Sequence, residues 1–415
     1  MNNSNFLIVY FNEKIVGELR LIHGDRYEFQ YQDSWLKYDQ SFPISLALKL
    51  QSEPHDHVTT KSFFEGLIPE EDFLRNLKST SHKHINSAFD FLTSYGRDCA
   101  GALRIVPLSS ENENRSDLKK ISWSELSKAY IQNRNLANIV LNEEGGFFSL
   151  AGAQDKISLV KLDGDFFISR GDTPSTHIIK PPNRFHQSIN SVYNEFFCMR
   201  LAKAIALNVP ETDLIESEVS FYVIERFDRN VIDKNITRLH QHDFCQALGI
   251  LNTQKYEILG GPSLRDNFQL ILNNSSEVIS DSKRFLRWIF FNLLIGNNDC
   301  HAKNLSFILQ GQKLVLSPFY DLLSTSVYPT IRNKFALKIA GQVVWSEIKS
   351  KHLRLVEKDL NLKNQFLSDL LQNLIEELEI AIPIVMQELA LYKDHEVFEK
   401  IILEINRRIK HFKKI

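Results

Sequence analysis

The chain has 415 residues, of which 43% are hydrophobic and 24% charged, as is ordinary for a globular protein with a sizeable core. Its formal net charge of −2 predicts no overall attraction to nucleic acid or to an anionic membrane. No apolar run approaches the roughly 20 residues needed to cross a bilayer, and the first residues lack the features of a secretory signal. We therefore expect a cytoplasmic protein of two or three compact units with no membrane partner.

The cysteines are widely spaced and form no C-x-x-C pair: they are Cys99, Cys198, Cys245 and Cys300. This spacing favours reduced, structural thiols over a disulfide framework or a zinc site. Cys300 differs from the other three because it lies among charged residues, where the reactivity of a thiol can change.

The first hundred residues combine short alternating segments with short helical ones. Strands are predicted at 7–11, 14–20, 27–31 and 101–106, and helices at 62–66, 71–78 and 88–95. A polar stretch rich in Ser, Asn and Glu follows at 108–117 and is the best candidate for a domain boundary. These elements predict a small α+β unit over residues 1–110.

Residues 111–230 mix strands with two longer helices. The predicted strands are 157–162, 166–169, 177–180 and 218–225, and the predicted helices are 123–141 and 191–207. Glycines and small residues are interspersed from Gly145 to Lys156, directly before the first of these strands. Backbone N–H groups in such a run can approach phosphate groups closely, but a plain hairpin turn stays open because no Walker or G-x-G-x-x-G motif is present.

Two charged residues of this part can be interpreted in two ways. Lys180 ends an apolar strand, so its stem either reaches solvent or places the ammonium on the α- and β-phosphates of a nucleotide. Glu195, near the start of the helix 191–207, is either the partner of that lysine or a first-turn acid favoured by the helix dipole.

The last part of the chain, residues 231–415, is predicted to be mostly helical. Its predicted helices are 285–295, 344–356, 362–378, 381–392 and 396–413. His240 and His242 have no third ligand nearby, which favours ordinary loop histidines over a metal site. The basic segment 407–414 is typical of the solvated last turns of a helix, with DNA contact as the alternative.

A dense run of polar residues, 297–304, follows the apolar helix that is predicted to end at Gly296, where glycine suits a C-cap. Two predicted strands, 305–309 and 313–316, then flank Gly311 as a hairpin. Asn304 precedes the first strand and Asp321 follows the second, so both should reach the same end of the hairpin, close to Asp299. Two carboxylates and a carboxamide that converge there would suit magnesium.

Asp299 and Asn304 have the spacing D-x-x-x-x-N, which is that of the protein-kinase catalytic loop. In that loop the aspartate accepts the proton of the substrate hydroxyl and the asparagine binds metal. Asp321 would take the place of the second kinase metal ligand. The alternative is that these polar side chains merely cap turns.

The run D-C-H-A-K-N at 299–304, followed by S-P-F-Y-D at 317–321, resembles the HipA toxin kinases, whose motifs are usually D-G-H-A-K-N and P-F-Y-D. Cys300 stands where glycine is usual. Further HipA-like motifs follow the family order: they are S-L-A-G-A-Q-D-K at 149–156, H-I-I-K-P at 177–181, E-R-F-D-R at 225–229, R-L-H-Q-H-D-F-C-Q at 238–246, and the segments 89–92 and 96–98. His242 replaces the usual glutamate of its motif.

This resemblance implies a two-lobed, atypical protein-kinase-like α+β fold with a strand-rich amino-terminal part and a helical carboxy-terminal part. Three parts are expected: a HipA amino-terminal subdomain at 1–110, a kinase N-lobe-like part at 111–230 and a helical C-lobe at 231–415. The resemblance makes Asp299 the catalytic residue, Asn304 and Asp321 the metal ligands and Ser149 a site of autophosphorylation. The implied ATP-binding residues are Ala151, Gly152, Ala153, Gln154, Lys156, Lys180, Glu225, Phe227, His301 and Lys303.

The implied function is that of an ATP- and magnesium-dependent serine/threonine kinase, the toxin of a toxin–antitoxin system. Such a toxin phosphorylates a translation component, best known as glutamyl-tRNA synthetase, and thereby arrests growth and promotes persistence. The implied partner is a HipB-like helix-turn-helix antitoxin, through which DNA would mainly be contacted. A corepressor module without kinase activity and a kinase for a small molecule or lipid are the alternatives.

Overall fold

The computed structural model describes residues 5–23, 26–70, 85, 87–108, 117–132, 135–141, 154–184, 189–331, 333–393 and 395–415. The predicted helix 71–78 and most of the glycine-rich run 145–156 lie outside these residues. The chain divides into two compact units: the first comprises Met1–Pro181, Ile215–Thr253 and Ser306–Gln312, and the second Pro182–Leu214, Gln254–Leu305 and Lys313–Ile415. The division at residues 110 and 230 stays a prediction.

The strands and helices of the described residues are numbered here in chain order. The strands are β1 Phe6–Phe11, β2 Lys14–Ile22, β3 Arg26–Tyr31, β4 Leu103–Val106, β5 Leu118–Ile121, β6 Ile157–Leu162, β7 Asp165–Ser169, β8 His177–Lys180, β9 Thr212–Ile215, β10 Phe221–Glu225, β11 Arg229–Ile232, β12 Asn235–Arg238, β13 Gln241–Asp243, β14 Ser306–Gln310 and β15 Lys313–Leu316. The helices are α1 Asp33–Leu36, α2 His57–Gly66, α3 Ala88–Tyr95, α4 Trp123–Ile131, α5 Ala137–Leu141, α6 Ser191–Ala204, α7 Phe244–Leu248, α8 Leu264–Asn274, α9 Val278–Ile295, α10 Ser350–Asp359, α11 Phe366–Glu388 and α12 His395–Phe412.

The first unit contains an antiparallel sheet of order β3-β2-β1-β4. Leu7 and Val9 of β1 belong to the main apolar cluster, while Ile8 and Tyr10 on the opposite face are buried in a second, smaller one, so both faces of this strand are covered. Phe63 of α2 and Phe91 of α3 belong to the main apolar cluster. The predicted hairpin, the third strand and the strand near residue 103 are therefore confirmed.

The second sheet of this unit carries the order β5-β7-β6-β8-β10, with Lys180 of β8 opposite Tyr222 of β10. The strands at 157–162, 166–169 and 177–180 lie where the pattern predicts them. The single helix predicted at 123–141 is wrong, because α4 ends at Ile131 and α5 begins at Ala137. The intervening segment is rich in Gln and Asn, and asparagine side chains compete with helical hydrogen bonds.

His240 and His242 are both buried in the first unit, and the prediction that they lie in a loop holds for His240 but not for His242. His242 lies in β13, opposite Phe307 of β14, and His240 Nε2 lies 2.8 Å from the backbone oxygen of Ile44. Burial lowers the pKa of His240 to about 4 and that of His242 to about 3. In the described part of the chain, no group of three or more His, Cys, Asp or Glu residues could hold a metal ion.

The second unit is mainly helical and is built around α9. Phe291 and Leu294 of this helix are fully buried, as the apolar sequence predicts. Phe197 of α6 stacks on Phe398 of α12, with 4.9 Å between the ring centroids. No helix among the described residues is long and apolar enough to cross a membrane.

Two helices near the carboxy terminus differ from their prediction. The segments 362–378 and 381–392 form one helix, α11, with Pro383 inside it. Buried Leu378 and Val385 continue the apolar face on both sides of the proline, so packing outweighs the lost backbone hydrogen bond. The helix predicted from residue 344 begins only at Ser350.

The basic carboxy-terminal segment is not uniformly solvated. Arg408 of α12 is buried and donates a hydrogen bond of 2.6 Å to Ser326 Oγ. Its guanidinium lies 4.8 Å from the centre of the Trp345 ring. The expectation of a solvated surface is therefore wrong for this arginine, which packs within its own unit.

Candidate active site

Asn297 organises the segment in which the catalytic loop was predicted. The preceding Gly296 has a φ of +74° and ends α9, which confirms the predicted C-cap. The Asn297 side chain donates hydrogen bonds to Asn292 Oδ1 at 2.7 Å and to the backbone oxygen of Asp321 at 3.2 Å. Its own Oδ1 accepts a hydrogen bond of 3.1 Å from the backbone N–H of Asp299. A buried asparagine therefore ties the backbone at Asp299 to the backbone at Asp321.

The Asp299 carboxylate is held at one oxygen and still reaches solvent. Its Oδ1 accepts a hydrogen bond of 2.5 Å from the hydroxyl of Tyr256, and the Nε2 of His301 lies 3.8 Å from the same oxygen. The side chain remains 49% exposed. A carboxylate in this state can accept a proton from an incoming hydroxyl group.

Asn304 and Asp321 meet the loop as the hairpin argument predicts. The Nδ2 of Asn304 donates a hydrogen bond of 2.9 Å to the backbone oxygen of Asp299, which orients the amide. Asp321 has a φ of +53°, a conformation that aspartate tolerates better than most residues. The preceding Tyr320 donates a hydrogen bond of 2.9 Å to the backbone oxygen of Lys303. An amide oxygen and a carboxylate are hard ligands that fit magnesium, with phosphate oxygens completing its shell.

His301 and Lys303 are buried within the loop. The His301 ring stands edge-on to the Tyr256 ring, with 4.9 Å between the centroids. This geometry places His301 beside Asp299, and the contacts of His301 and Lys303 with ATP stay a prediction.

All four cysteines are free, buried thiols. Burial and the neighbouring Asp299 raise the pKa of Cys300 well above its usual value. The surroundings of Cys300 therefore lower its reactivity, because the thiolate is the nucleophilic form.

The residues expected to hold the ATP phosphates lie in the first unit where they are described. Lys180 is buried, with its Nζ 6.0 Å from the centre of the Tyr222 ring. Lys156 is also buried, and Gln154 donates a hydrogen bond of 3.4 Å to the backbone oxygen of Pro181. Ser149, Ala151, Gly152 and Ala153 lie outside the described residues. Glu195, in the second unit, is buried on α6, and its pairing with Lys180 stays a prediction.

The segment 225–229, predicted to contact adenine, carries a buried ion network. Glu225 ends β10 and is exposed, while Phe227 is half-buried. Arg226 and Asp228 are buried and joined by two hydrogen bonds of 2.8 and 2.9 Å, so they form an internal ion pair rather than a surface one. The adenine contacts of Glu225 and Phe227 stay a prediction.

Asp98, in the segment 96–98 of the amino-terminal region, belongs to this network. Its oxygens accept hydrogen bonds from Arg229 at 2.9 Å and from the Ser175 hydroxyl at 2.5 Å. Burial alone would raise the pKa of Asp98, but Arg229, Arg226 and Arg238 outweigh burial and lower it. The amino-terminal region therefore supplies a structural carboxylate to the segment 225–229.

Tyr256 is the site residue that the sequence analysis missed. It precedes Asp299 by 43 residues, and no periodicity or spacing rule connects a tyrosine in that position to the loop. Its neighbours Gly260 and Gly261 predict a turn, and that turn is the one local signal that this segment has a defined shape.

The comparisons with known proteins agree with this arrangement of motifs. Residues 148–382 match the family model described as HipA-like C-terminal domain, and residues 7–106 match that of the HipA N-terminal domain. The putative kinase Y4mE of Sinorhizobium fredii is 34% identical over 392 residues, which are 92% of each chain. The serine/threonine-protein kinase toxin HipA of Shewanella oneidensis is 29% identical over 348 residues, 80% of this chain and 78% of that protein.

Among solved structures, the fold matches Shewanella oneidensis HipA in its complex with HipB and operator DNA. The TM-score is 0.85 at 26% identity, and the match covers 98% of this chain and 97% of that chain. The two family models and this match define an α+β protein with a strand-rich amino-terminal part and a helical carboxy-terminal part. The chain belongs to the HipA family, and the expected class of enzyme, the serine/threonine-protein kinases, is confirmed at the level of that family.

Proposed function

We propose that this chain is an ATP- and magnesium-dependent serine/threonine kinase that acts as the toxin of a toxin–antitoxin system. The observation that carries the proposal is the local arrangement around Asp299. Its carboxylate is half-exposed, and Asn304 and the backbone of Asp321 are tied to the same loop. Phosphoryl transfer needs one group to accept a proton and hard oxygens to hold a metal, and this loop supplies both.

The mechanism follows from the positions of these groups. Asp299 accepts the proton of a serine or threonine hydroxyl as that oxygen attacks the γ-phosphorus of ATP. Asn304 and Asp321 hold magnesium, which when bound neutralises charge on the phosphate oxygens. Lys180, Lys156 and the backbone of 151–154 hold the phosphates, Glu225 and Phe227 contact adenine through their backbone, and His301 and Lys303 support the loop or the γ-phosphate.

Ser149 would be the site at which the kinase inactivates itself. A phosphate group carries about −1.5 to −2 charge at neutral pH, so in a loop that approaches ATP phosphates it would repel them. Ser149→Asp should therefore bind ATP more weakly than the parent and be less active. Equal activity and equal ATP affinity, measured by titration calorimetry, would show that this part of the proposal is wrong.

The proposed partner is a HipB-like helix-turn-helix antitoxin, and the proposed target is a translation component such as glutamyl-tRNA synthetase. The match to a HipA in complex with HipB and operator DNA supports the partner. It also favours a second candidate function, a corepressor that contacts DNA mainly through its antitoxin. Operator binding that needs this chain but survives the loss of Asp299 would support that second function.

Label transfer tests the proposal directly. Protein shown by mass spectrometry to be unphosphorylated is incubated with magnesium and γ-labelled ATP, beside the Asp299→Asn variant. We expect label on Ser149 in the parent alone, after which labelled proteins in a bacterial lysate would identify the target. A parent that takes up no label would overturn the kinase proposal and favour the corepressor.

A further inference from the structure

The hydroxyl of Tyr256 donates a short hydrogen bond to the Asp299 carboxylate. Its oxygen lies 2.5 Å from Asp299 Oδ1, within the range of a hydrogen bond from a hydroxyl to a charged carboxylate. A tyrosine hydroxyl is a donor at neutral pH, so this contact fixes one carboxylate oxygen without taking up a proton. The contact lies wholly within the second unit.

The segment around Tyr256 forms a tight turn, and the backbone hydrogen bonds of this turn fix the position of the tyrosine. The backbone oxygen of Tyr256 accepts hydrogen bonds of 2.9 Å from the N–H groups of Leu259 and Gly261. A Cβ on Gly261 would lie 2.1 Å from the backbone oxygen of Gln254, so only glycine fits this turn. Gly260 has a φ of +88°, which glycine also adopts at little cost.

A second anchor lies one residue further along the chain. Glu257 Oε2 accepts a hydrogen bond of 2.7 Å from the backbone N–H of Lys338, whose Nζ lies 3.7 Å from the other carboxylate oxygen. The Tyr256 ring packs edge-on against His301. Backbone and ring are therefore both held, and the hydroxyl can act as a fixed point for Asp299.

The exposure of Asp299 shows that Tyr256 orients the carboxylate and does not block it. Its side chain remains 49% exposed while the tyrosine is bound to Oδ1, so the contact does not cover the carboxylate. A group that occupied the place of the substrate would instead leave little of the carboxylate accessible. The hydrogen bond thus restrains rotation of the carboxylate and leaves part of it open to an incoming hydroxyl.

We propose that Tyr256 is a positioning residue of the phosphoryl-transfer site, whose hydroxyl orients Asp299 to accept the proton of the substrate hydroxyl. This inference rests on the proposed kinase function and adds to it a residue outside the 299–304 and 317–321 motifs. The proton passes from the substrate to Asp299, and the tyrosine keeps its own proton throughout.

The test is Tyr256→Phe, which keeps the ring against His301 and removes the hydroxyl alone. The initial rate of label incorporation is measured against ATP concentration for unphosphorylated protein. We expect kcat to fall by about tenfold to a hundredfold, a part of the effect of general-base catalysis. The KM for ATP should stay within about twofold, because the lost contact acts on the chemical step.

The split between kcat and KM gives a readout that a merely structural role would not produce, because a distorted site would change kcat and the KM for ATP together. Tyr38→Phe is the matched control, because that hydroxyl donates to the exposed Gln40 side chain. We expect the control to leave both kcat and KM unchanged.

The outcomes separate this inference from the proposed function. An active parent with a Tyr256→Phe variant of equal kcat would overturn the role of Tyr256 alone, and so would a variant in which kcat and the KM for ATP change together. A faster variant would also overturn it and would show that the hydroxyl competes with the substrate. A parent that transfers no label, with its fold intact by circular dichroism, would overturn the kinase function and this inference together.

Discussion

Two regions of the molecule are equally rich in charge and use that charge in opposite ways. In the ion network of the first unit, the side chains of Asp98 and Arg226 are 8% and 2% exposed, and their polar atoms bond to one another and to the backbone. In the loop of the second unit, Asp299 keeps 49% of its side chain exposed, while the groups around it are buried. Charge in the network is satisfied internally, whereas the charge of Asp299 is left for a reaction.

The pKa values of the network show how such burial is tolerated. Burial would raise the pKa of Asp228, but Arg226 and Arg229 outweigh it and hold the pKa well below its usual value. The negative charge of such a buried carboxylate is compensated by the neighbouring arginines. The group therefore stays ionised and does not take up a proton near neutral pH. The comparison therefore predicts that mutations in the network change stability and that mutations in the loop change activity.

The largest expected effect is the loss of catalysis in Asp299→Asn. We expect the rate of label transfer to fall by about 10³- to 10⁴-fold, because the amide cannot accept the substrate proton. The urea midpoint should not fall, since the carboxylate is half-exposed and Asn keeps its shape. Calorimetric titration should show ATP binding largely intact, and a variant that unfolds more easily would break the comparison.

Asp98→Asn should have the next largest effect, this time on stability. The variant leaves Arg229 and Arg226 buried with less compensating charge, which we expect to cost about 3 to 5 kcal/mol in the free energy of unfolding. Urea denaturation followed by circular dichroism measures this loss.

The matched control for Asp98→Asn is the exposed ion pair of the same unit. Asp163 lies 2.7 Å from Lys234, and both side chains are mostly exposed. Asp163→Asn should change the free energy of unfolding by less than about 1 kcal/mol. Equal losses in the two variants would show that burial does not distinguish the network from an ordinary surface pair.

The comparison also shows what could be predicted from the sequence. The convergence of Asn304 and Asp321 on the loop follows from the hairpin around Gly311, because strand pairing is a local rule. The burial of Arg226 and Asp228 could not be predicted, since the carboxylate that completes their network, Asp98, lies 128 residues before Arg226. Tyr256 was missed for the same reason, because a contact between distant segments has no signature in periodicity or spacing.

The helices show the same difference between features that depend on local sequence and features that depend on distant contacts. The bounds of α3 and the end of α9 agree with their prediction, and a capping residue lies at each: Ser87 is the N-cap of the first helix, and Gly296 is the C-cap of the second. The continuity of α11 through Pro383 depends on tertiary packing, which overrides the local preference of proline. Local chemistry therefore predicts where an element ends better than it predicts which elements are joined.

A third expected effect is a loss of stability in mild acid, due to the buried histidines of the first unit. The pKa is about 4 for His240 and about 3 for His242 in the folded protein, against 6.5 for an unperturbed histidine. Between these values the unfolded chain binds more protons, so the free energy of unfolding falls as pH is lowered. From pH 7 to pH 5.5 the two histidines should together cost about 2 to 3 kcal/mol.

Urea midpoints at the two pH values measure this effect. His177, whose pKa burial lowers to about 4, acts in the same direction and remains as background. His242→Gln should remove about half of the cost due to His240 and His242. An unchanged dependence in His242→Gln would show that this histidine is not the group that titrates.

The smallest expected effect concerns Cys300, the residue that lies in the loop but shares the burial of the network. Because burial and Asp299 raise its pKa, the folded protein should react with iodoacetamide at Cys300 at least about tenfold more slowly than glutathione does. Peptide mass spectrometry measures the modification, and protein in urea provides the fully reactive control. Cys300→Ala should cost only about 1 kcal/mol, as expected for losing one buried sulfur. Rapid alkylation of the folded protein would instead mean that the loop opens. Solvent would then reach the whole segment rather than the Asp299 carboxylate alone.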